Sequence, residues 1–541
     1  MKNSFFIILL MTLALDSFAQ VQQEWVRNYD NTSGRYEIMY DMHVSNDAVI
    51  VTGEIENTAT MNDFCTVKYN NNGELLWAKY YNNPANNDDI AVKVLVDRNN
   101  NVIVGGRSFG GASSKMDFLI IKYSQDGSEL WQRRFDGTLH DWDYLMDICL
   151  DANGNIYATG YTTVYNSGGN YLWDCLSIKL DQYGNQLWAR NYNSFKSLND
   201  VGTKIIIDRD EYVYVAGSSG LNLLILQYDL NGQIVWENTY IDSSATSIAI
   251  NNISPDSNRN IVATGTCGYN GRLDDFFAVK YNSGGVMRWY RKISSGGDVA
   301  DRSYSSVVDY SGNIYMTGTK GQNQYSDFMT AKLDSNGVTK WIRYYNSPYN
   351  LEDYASYITI DTHSNIYVSG SSKFRPFFYN VMTVLKYDSE GNEVWKFNFD
   401  SSSSNIGENG KKIVVKTNGD IFISGTSGTT YDYDFQLLKC SQLIGVNPIQ
   451  SEIPIYFSLH QNYPNPFNPS TKIKFELPAA GNVSIRIFDI MGREVSMLVN
   501  EFMKPGVYEA DFNAADLPSG VYLYKLEAGE FTETRKMILL K

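Results

Sequence analysis

The stretch DANGNIYATG, Asp151 to Gly160, opens on the Asp, Asn and Gly of a tight turn and runs through β-prone residues to a second glycine. Its second part, GNIYATG, recurs as DAVIVTG ending at Gly53, NNVIVGG at Gly106, EYVYVAG at Gly217, RNIVATG at Gly265, GNIYMTG at Gly318, SNIYVSG at Gly370 and GDIFISG at Gly425. That makes eight copies, 48 to 57 residues apart. Each copy is followed by a second signature, such as DFLIIKY (Asp117 to Tyr123) or DFFAVKY (Asp275 to Tyr281). In most copies a glycine-ended turn and a tryptophan come next. Trp25, Trp77, Trp131, Trp188, Trp236, Trp289, Trp341 and Trp395 mark this third element. A fourth, such as AVKVLVD (Ala91 to Asp97), precedes the next glycine motif. Four short strands per repeat predict a four-stranded antiparallel sheet, and one such sheet cannot bury both of its faces. Radial stacking of copies around an axis does, and leaves only short edges.

Register adds a prediction. With AVKVLVD innermost, NVIVGG, DFLIIKY and ELWQRRF become the second, third and outermost strands of one blade. The last repeat then has Lys412 to Val415, Ile421 to Gly425 and Phe435 to Lys439 but lacks a Trp strand, while the chain begins with an orphan one, Glu24 to Tyr29. The N-terminal strand is expected to complete the last sheet, because two unpaired edges would expose rows of backbone donors and acceptors. The expected fold is all-β: an eight-bladed β-propeller closed by an N-terminal outer strand, followed by a small C-terminal β-sandwich.

Composition agrees with this. The 541 residues include 40 Tyr, 25 Phe and 42 Gly, suited to strands and tight turns. A net charge of −15 and the lack of any basic run argue against nucleic acid as a partner. Met1 to Ala19 reads as a signal peptide: Lys2, an apolar stretch from Phe5 to Leu15, and small residues at Ser17 and Ala19. No later segment is apolar for long enough to be a transmembrane helix, and no Cys follows the expected cut to carry a lipid. The five cysteines show no paired spacing; Cys149 and Cys175 fall on strands separated by a third.

The tight connections, DANGN and KYNNNGELLW among them, share one face of the disc, and the long irregular loops collect on the other. Two sets of candidate binding residues lie there. Eight residues before the Asp that ends an inner strand stands another carboxylate: Asp89, Asp143, Asp200, Asp301 and Asp353, with Glu408 in the same register. Such a channel-rim set would hold a cation or basic ligand; the structural alternative is that each accepts backbone N–H groups of a turn. The loops also carry aromatics, notably Trp142, Trp173, Phe377 and Phe378, suited to stacking on sugar rings or anchoring a protein. DANGN resembles part of a calcium loop but lacks the downstream Gly and Glu, so neither a metal nor any other cofactor is expected. His43, His140, His363 and His460 are scattered, with no HExxH, GxSxG or Cys/His arrangement, so no catalytic residue is assigned.

Through its D..GN.Y.TG and DF...KY elements the region from Trp25 to Cys440 resembles the bacterial β-propeller repeat family abbreviated SBBP, whose name implies seven blades, the alternative count. The tail resembles another family. QNYPNPFNPSTKIKFELP (Gln461 to Pro478), VSIRIFDIMGREV, PGVYEADFNAADLPSGVYLYKLEAG and the final RKMILLK look like the type A C-terminal sorting domain of type IX secretion. The resemblance implies passage through the periplasm, recognition by the type IX machinery, and a cell-surface or extracellular location. The resulting division is signal peptide 1–19, propeller 20–445, linker and Pro-rich joint 446–470, and sorting domain 471–541. The leading reading is a non-catalytic scaffold that binds a glycan or protein; a polysaccharide-cleaving enzyme using the acidic rim, or a structural adhesin, stands as the alternative.

Overall fold

The computed structural model describes residues 21–541 apart from 31–35, 58, 112–113, 167, 195–197, 241–244, 270–271, 297–298, 322–324, 375–379, 401–406, 430–431, 443–445, 451–453, 480, 504 and 516. The expected signal peptide lies outside the described residues. The chain forms two compact units, one comprising Glu24–Thr417 and Ile421–Lys439, the other holding the tail from Cys440 onward.

Among the described residues the first unit contains eight four-stranded sheets. The first blade runs Glu37–Val44, Ala48–Asn57, Met61–Asn70 and Leu75–Tyr81. The innermost strands of the next six are Asp89–Val96, Asp143–Leu150, Asp200–Ile207, Ala245–Pro255, Asp301–Val308 and Asp353–Ile360. The eighth sheet has Gly407–Val415, Ile421–Thr429 and Asp432–Gln442, and its fourth strand is the N-terminal Val21–Tyr29. Innermost strands touch their neighbours all the way round, eighth to first included. The fold is a β-propeller. Its seam is held by Lys439 Nζ to Glu24 Oε2 (2.7 Å), by Gln436 Nε2 donating to Asn28 Oδ1 (3.3 Å), and, between eighth and first blades, by Lys412 Nζ to Asp41 Oδ1 (2.6 Å).

The recurring residues now have physical roles. Asp151 accepts the N–H groups of Asn153 and Asn155 on one oxygen and the Asn155 side chain on the other, so its carboxylate holds its own hairpin turn. Gly160, at the other end of the quoted stretch, sits opposite Leu145 beside a β-bulge at Met146. A β-carbon there would come within 1.8 Å of the Tyr144 carbonyl oxygen. The same bulge, beside the same glycine, occurs in all eight blades, so the repeated TG is the footprint of a repeated bulge. Seven of the tryptophans latch one blade to the next: Trp131 Nε1 donates to the Gln182 carbonyl (3.2 Å), which also accepts from Lys122 Nζ (3.1 Å) of the DFLIIKY strand. The Trp131 ring lies against Gly184, whose φ of +84° no other residue adopts cheaply. Trp25 makes the same bond across the seam, to Asn71 O at 3.1 Å.

The second unit is a two-sheet sandwich. One sheet orders Val446–Gln450, Gly506–Asn513, Ser470–Leu477 and Ser458–Leu459, the other Glu494–Met503, Gly481–Asp489, Gly520–Ala528 and Phe531–Leu539. Ile473, Phe475, Ile485, Ile487, Tyr524 and Met537 are among the buried side chains between them. The described parts of 446–470, expected to be a linker and stiff joint, are instead built into this sandwich. Val446–Gln450 pairs with Gly506–Asn513. The Pro-rich segment binds both sheets, Tyr463 bridging to Lys472 and Phe467 to Leu539. Its prolines cannot donate to a ladder, so side chains add to the backbone bridges: Asn465 Oδ1 accepts from Ile538 N (2.9 Å), and Tyr524 OH donates to His460 O (2.8 Å) while accepting from Asn462 N (2.9 Å).

Candidate functional site

The expected rim carboxylates are buried. Asp89, Asp143, Asp200, Asp301, Asp353 and Glu408 are no more than 1% exposed. Each Asp accepts the backbone N–H six residues earlier, on the loop arriving from the previous blade: Asn83 (2.7 Å), Gly137 (2.5 Å), Ser194 (2.8 Å), Ser295 (2.5 Å) and Ser347 (2.6 Å). Glu408 accepts from Ser427 Oγ at 3.2 Å. This corrects the open acidic rim: a carboxylate at a strand entrance turns inward because the arriving loop needs an acceptor. Glu37 takes the same place in the first blade and is 1% exposed. It escaped the sequence pattern because its inner strand is followed by Ser45 in place of Asp. Burial, reinforced by an acid of the preceding blade (Asp63, Asp117 and Asp327 respectively), raises Asp89, Asp143 and Asp353 to about 6.

Oxygens of Asp117, Asp136 and Asp143 lie within 4.8 Å of one another, the spacing of a metal-ligand group. Each acid is already engaged: Asp117 by Arg134 (2.7 Å), Asp136 by His140 (2.6 Å), Asp143 by Gly137 N. A cation would have to displace these donors.

A second set of charges comes from the bulges. The residues just after them include Asp41, Lys93, Asp147 and Lys412, in the first, second, third and eighth blades. They form a chain along the innermost strands: Lys412 to Asp41 at 2.6 Å, Asp41 to Lys93 at 3.9 Å, Lys93 to Asp147 at 3.6 Å. Each acid also accepts a backbone N–H from the next blade, Asp41 from Val94 (3.1 Å) and Asp147 from Ile205 (3.2 Å). Burial alone would raise Asp41, but Lys412 and Lys93 outweigh it and hold the carboxyl down to about 2. Lys93 is raised in turn, chiefly by Asp41.

The open part of the loop-rich side is aromatic. Trp142 and Trp173, both expected there, are 37% and 39% exposed and end a row of four rings on the third blade. Trp142 meets Tyr144 (5.8 Å between centroids), Tyr144 stacks on Tyr161 (5.1 Å, 11°), and Tyr161 meets Trp173 (4.8 Å). Strand geometry makes the row. Trp142 and Tyr144 are two residues apart, Tyr144 lies directly opposite Tyr161, and Trp173 is diagonal to Tyr161 on Tyr171–Leu180. The Arg107 guanidinium lies 4.8 Å from the centre of the Tyr144 ring, and Lys115 Nζ 5.3 Å from that of Trp142. Phe377 and Phe378, the other expected aromatics, lie outside the described residues.

Residues 461–540 match the family described as secretion system C-terminal sorting domain. The tail is a type IX sorting domain. It marks the protein for export and implies contact with the secretion machinery. No curated relative matches the chain. Among solved structures it is similar to PorZ, a surface component of the type IX system of Porphyromonas gingivalis (11% identity, 95% of this chain and 88% of that one, TM-score 0.34). Similar too are the polysaccharide lyase Uly1 (11%, 78% and 100%, 0.40) and the β-propeller domain of the Trilobed protease from Pyrococcus furiosus (9%, 65% and 94%, 0.36).

Proposed function

We propose that this exported propeller is a non-catalytic scaffold that holds a glycan chain through its loop-rich side, at the cell surface or after release. The signal peptide carries the chain to the periplasm, and the sorting domain engages the type IX machinery for the second crossing. The observation that carries the binding reading is the row Trp142, Tyr144, Tyr161 and Trp173. Its end rings are more than a third exposed, and aromatic rings accept the C–H faces of sugars while Arg107 and Lys115 offer donors beside them. Catalysis by the rim acids is disfavoured by their burial, since a general acid must reach its substrate. The test is a glycan array probed with the mature full-length chain and with the double variant Trp142→Ala/Trp173→Ala. Specific glycan signals that fall at least about tenfold in the variant are expected. Glycan signals indifferent to the double variant, or none at all, reject the reading and leave a protein partner or an adhesin.

A further inference from the structure

We propose that the hollow where the seventh, eighth and first blades meet binds an anionic sugar unit, with Lys411 as its counter-charge. The hollow has a volume of about 470 Å³, within the range of small-ligand sites. Tyr354 and Asn380 reach it from the seventh blade, Asn409, Lys411 and Tyr433 from the eighth, and Tyr36 from the first. It exists only because the ring closes, since residues near both ends of the propeller sequence line it.

Lys411 is the bulge residue of the eighth blade, and the bulge aims it out of the regular alternation. Among the described residues no carboxylate lies within ion-pairing distance of its ammonium, which lies instead over the neutral face of Tyr40, 4.4 Å to the ring centre. Of the nearby acids, Asp41 is bonded to Lys412 (2.6 Å), while Glu54 accepts from Tyr40 OH (2.9 Å) on one oxygen and attracts Lys411 only from beyond ion-pairing distance. A cation partly withdrawn from water without an anion is costly, and a bound carboxylate or sulfate relieves that cost. Burial lowers the Lys411 pKa, which fits the same picture.

The rest of the lining suits a sugar ring. Tyr36 and Tyr433 stack at 5.7 Å and 23° across the seam, and Tyr36 and Tyr354 are each more than a third exposed. Asn380 Nδ2 donates to Asn409 Oδ1 at 2.6 Å, which leaves the Asn380 oxygen and the Asn409 amide nitrogen for hydroxyl groups. A larger hollow, about 790 Å³ on the tight-turn side, lacks this combination. The basic group lining it, Lys68, is already bonded to Gln125 O at 3.0 Å. The Lys411 hollow is separate from the aromatic row, so either can fail without the other.

The experiment is calorimetric titration of the mature full-length chain with galacturonate, galactose 6-sulfate and galactose. Saturable binding of one or both anionic sugars is expected, with galactose at least about tenfold weaker, and whichever anion binds tighter names the source of the charge. Lys411→Gln should cost the anionic sugars at least about tenfold and Lys411→Arg should keep them. Should Lys411→Gln fail to fold, Asn380→Asp serves: a carboxylate on the wall should weaken the anionic sugars more than galactose. Equal binding of galactose, anionic-sugar affinity unchanged in Lys411→Gln or Asn380→Asp, or no saturable uptake up to about 10 mM would overturn the proposal.

Discussion

At Gly160 the obstacle to a side chain is another backbone, the Tyr144 carbonyl at 1.8 Å, whereas at Gly154 of the same stretch the nearest atom is the Gln182 β-carbon at 3.7 Å and the difficulty is only a φ of +79°. The two alanine variants should therefore separate. Gly154→Ala should cost about 1 kcal/mol, the price of a left-handed residue, and Gly160→Ala about 3 kcal/mol as the bulge is forced open. Denaturant unfolding of the two measures the gap; equal losses would mean the bulge relaxes freely. Asp41 is the other telling residue. Asp41→Asn removes a buried anion from between Lys412 and Lys93 and should destabilise the propeller by about 3 kcal/mol. Lys412→Met introduced alongside it should recover part of that loss, since the stranded cation goes too. A double-mutant cycle reads both.

Among the elements, the bulge and the closing strand were unequally legible. Glu24 to Tyr29 could be placed beside Phe435 to Lys439 from the sequence because each Trp strand repeats the same residue types, and the last repeat visibly lacked one. The charge chain could not be read in this way. The position after the bulge is Asp41, Lys93, Asp147 and Lys412 in different blades, so aligning the repeats shows no common residue where the side chains in fact meet. Tyr144 and Tyr161 were hidden for a related reason: they lie within strands, and only cross-strand register brings them between the loop residues Trp142 and Trp173. The rim acids were found, but their direction was not, because spacing fixes register and leaves open whether a carboxylate faces solvent or the arriving loop. Prolines in the tail suggested stiffness, and the asparagines between them supplied bonds that the composition did not reveal. Removal of Val21–Tyr29 should expose the Asp432–Gln442 edge, giving a lower melting temperature and self-association on sizing with light scattering. A synthetic peptide of residues 21–29 should reverse both. A truncated chain that stays monomeric and equally stable would show that the closing strand is dispensable.

For the molecule as a whole, two populations of buried acid set opposite slopes on stability against pH. Asp89, Asp143, Asp174 and Asp353 are raised to about 6, burial being the main cause in each. Unfolded Asp titrates near pH 3.9, so between about pH 4 and 6 the folded chain holds more protons and their contribution falls as pH rises. Asp41, held down to about 2, acts the other way: its stabilisation is complete above about pH 4 and is lost as pH drops toward 2. The propeller should melt highest near pH 4, lower at pH 7, and lower again as pH falls toward 2. Calorimetry across that range checks it, and a steady rise from pH 4 to 7 would contradict it. The N-terminal seam also governs timing. Val21–Tyr29 is made long before Asp432–Gln442, the strand it pairs with, so until residue 439 has been delivered the ring is an open arc whose outer strand lacks its ladder partner. A propeller assembled in this order cannot close before its last blade exists, so the growing chain stays open-ended for most of its synthesis.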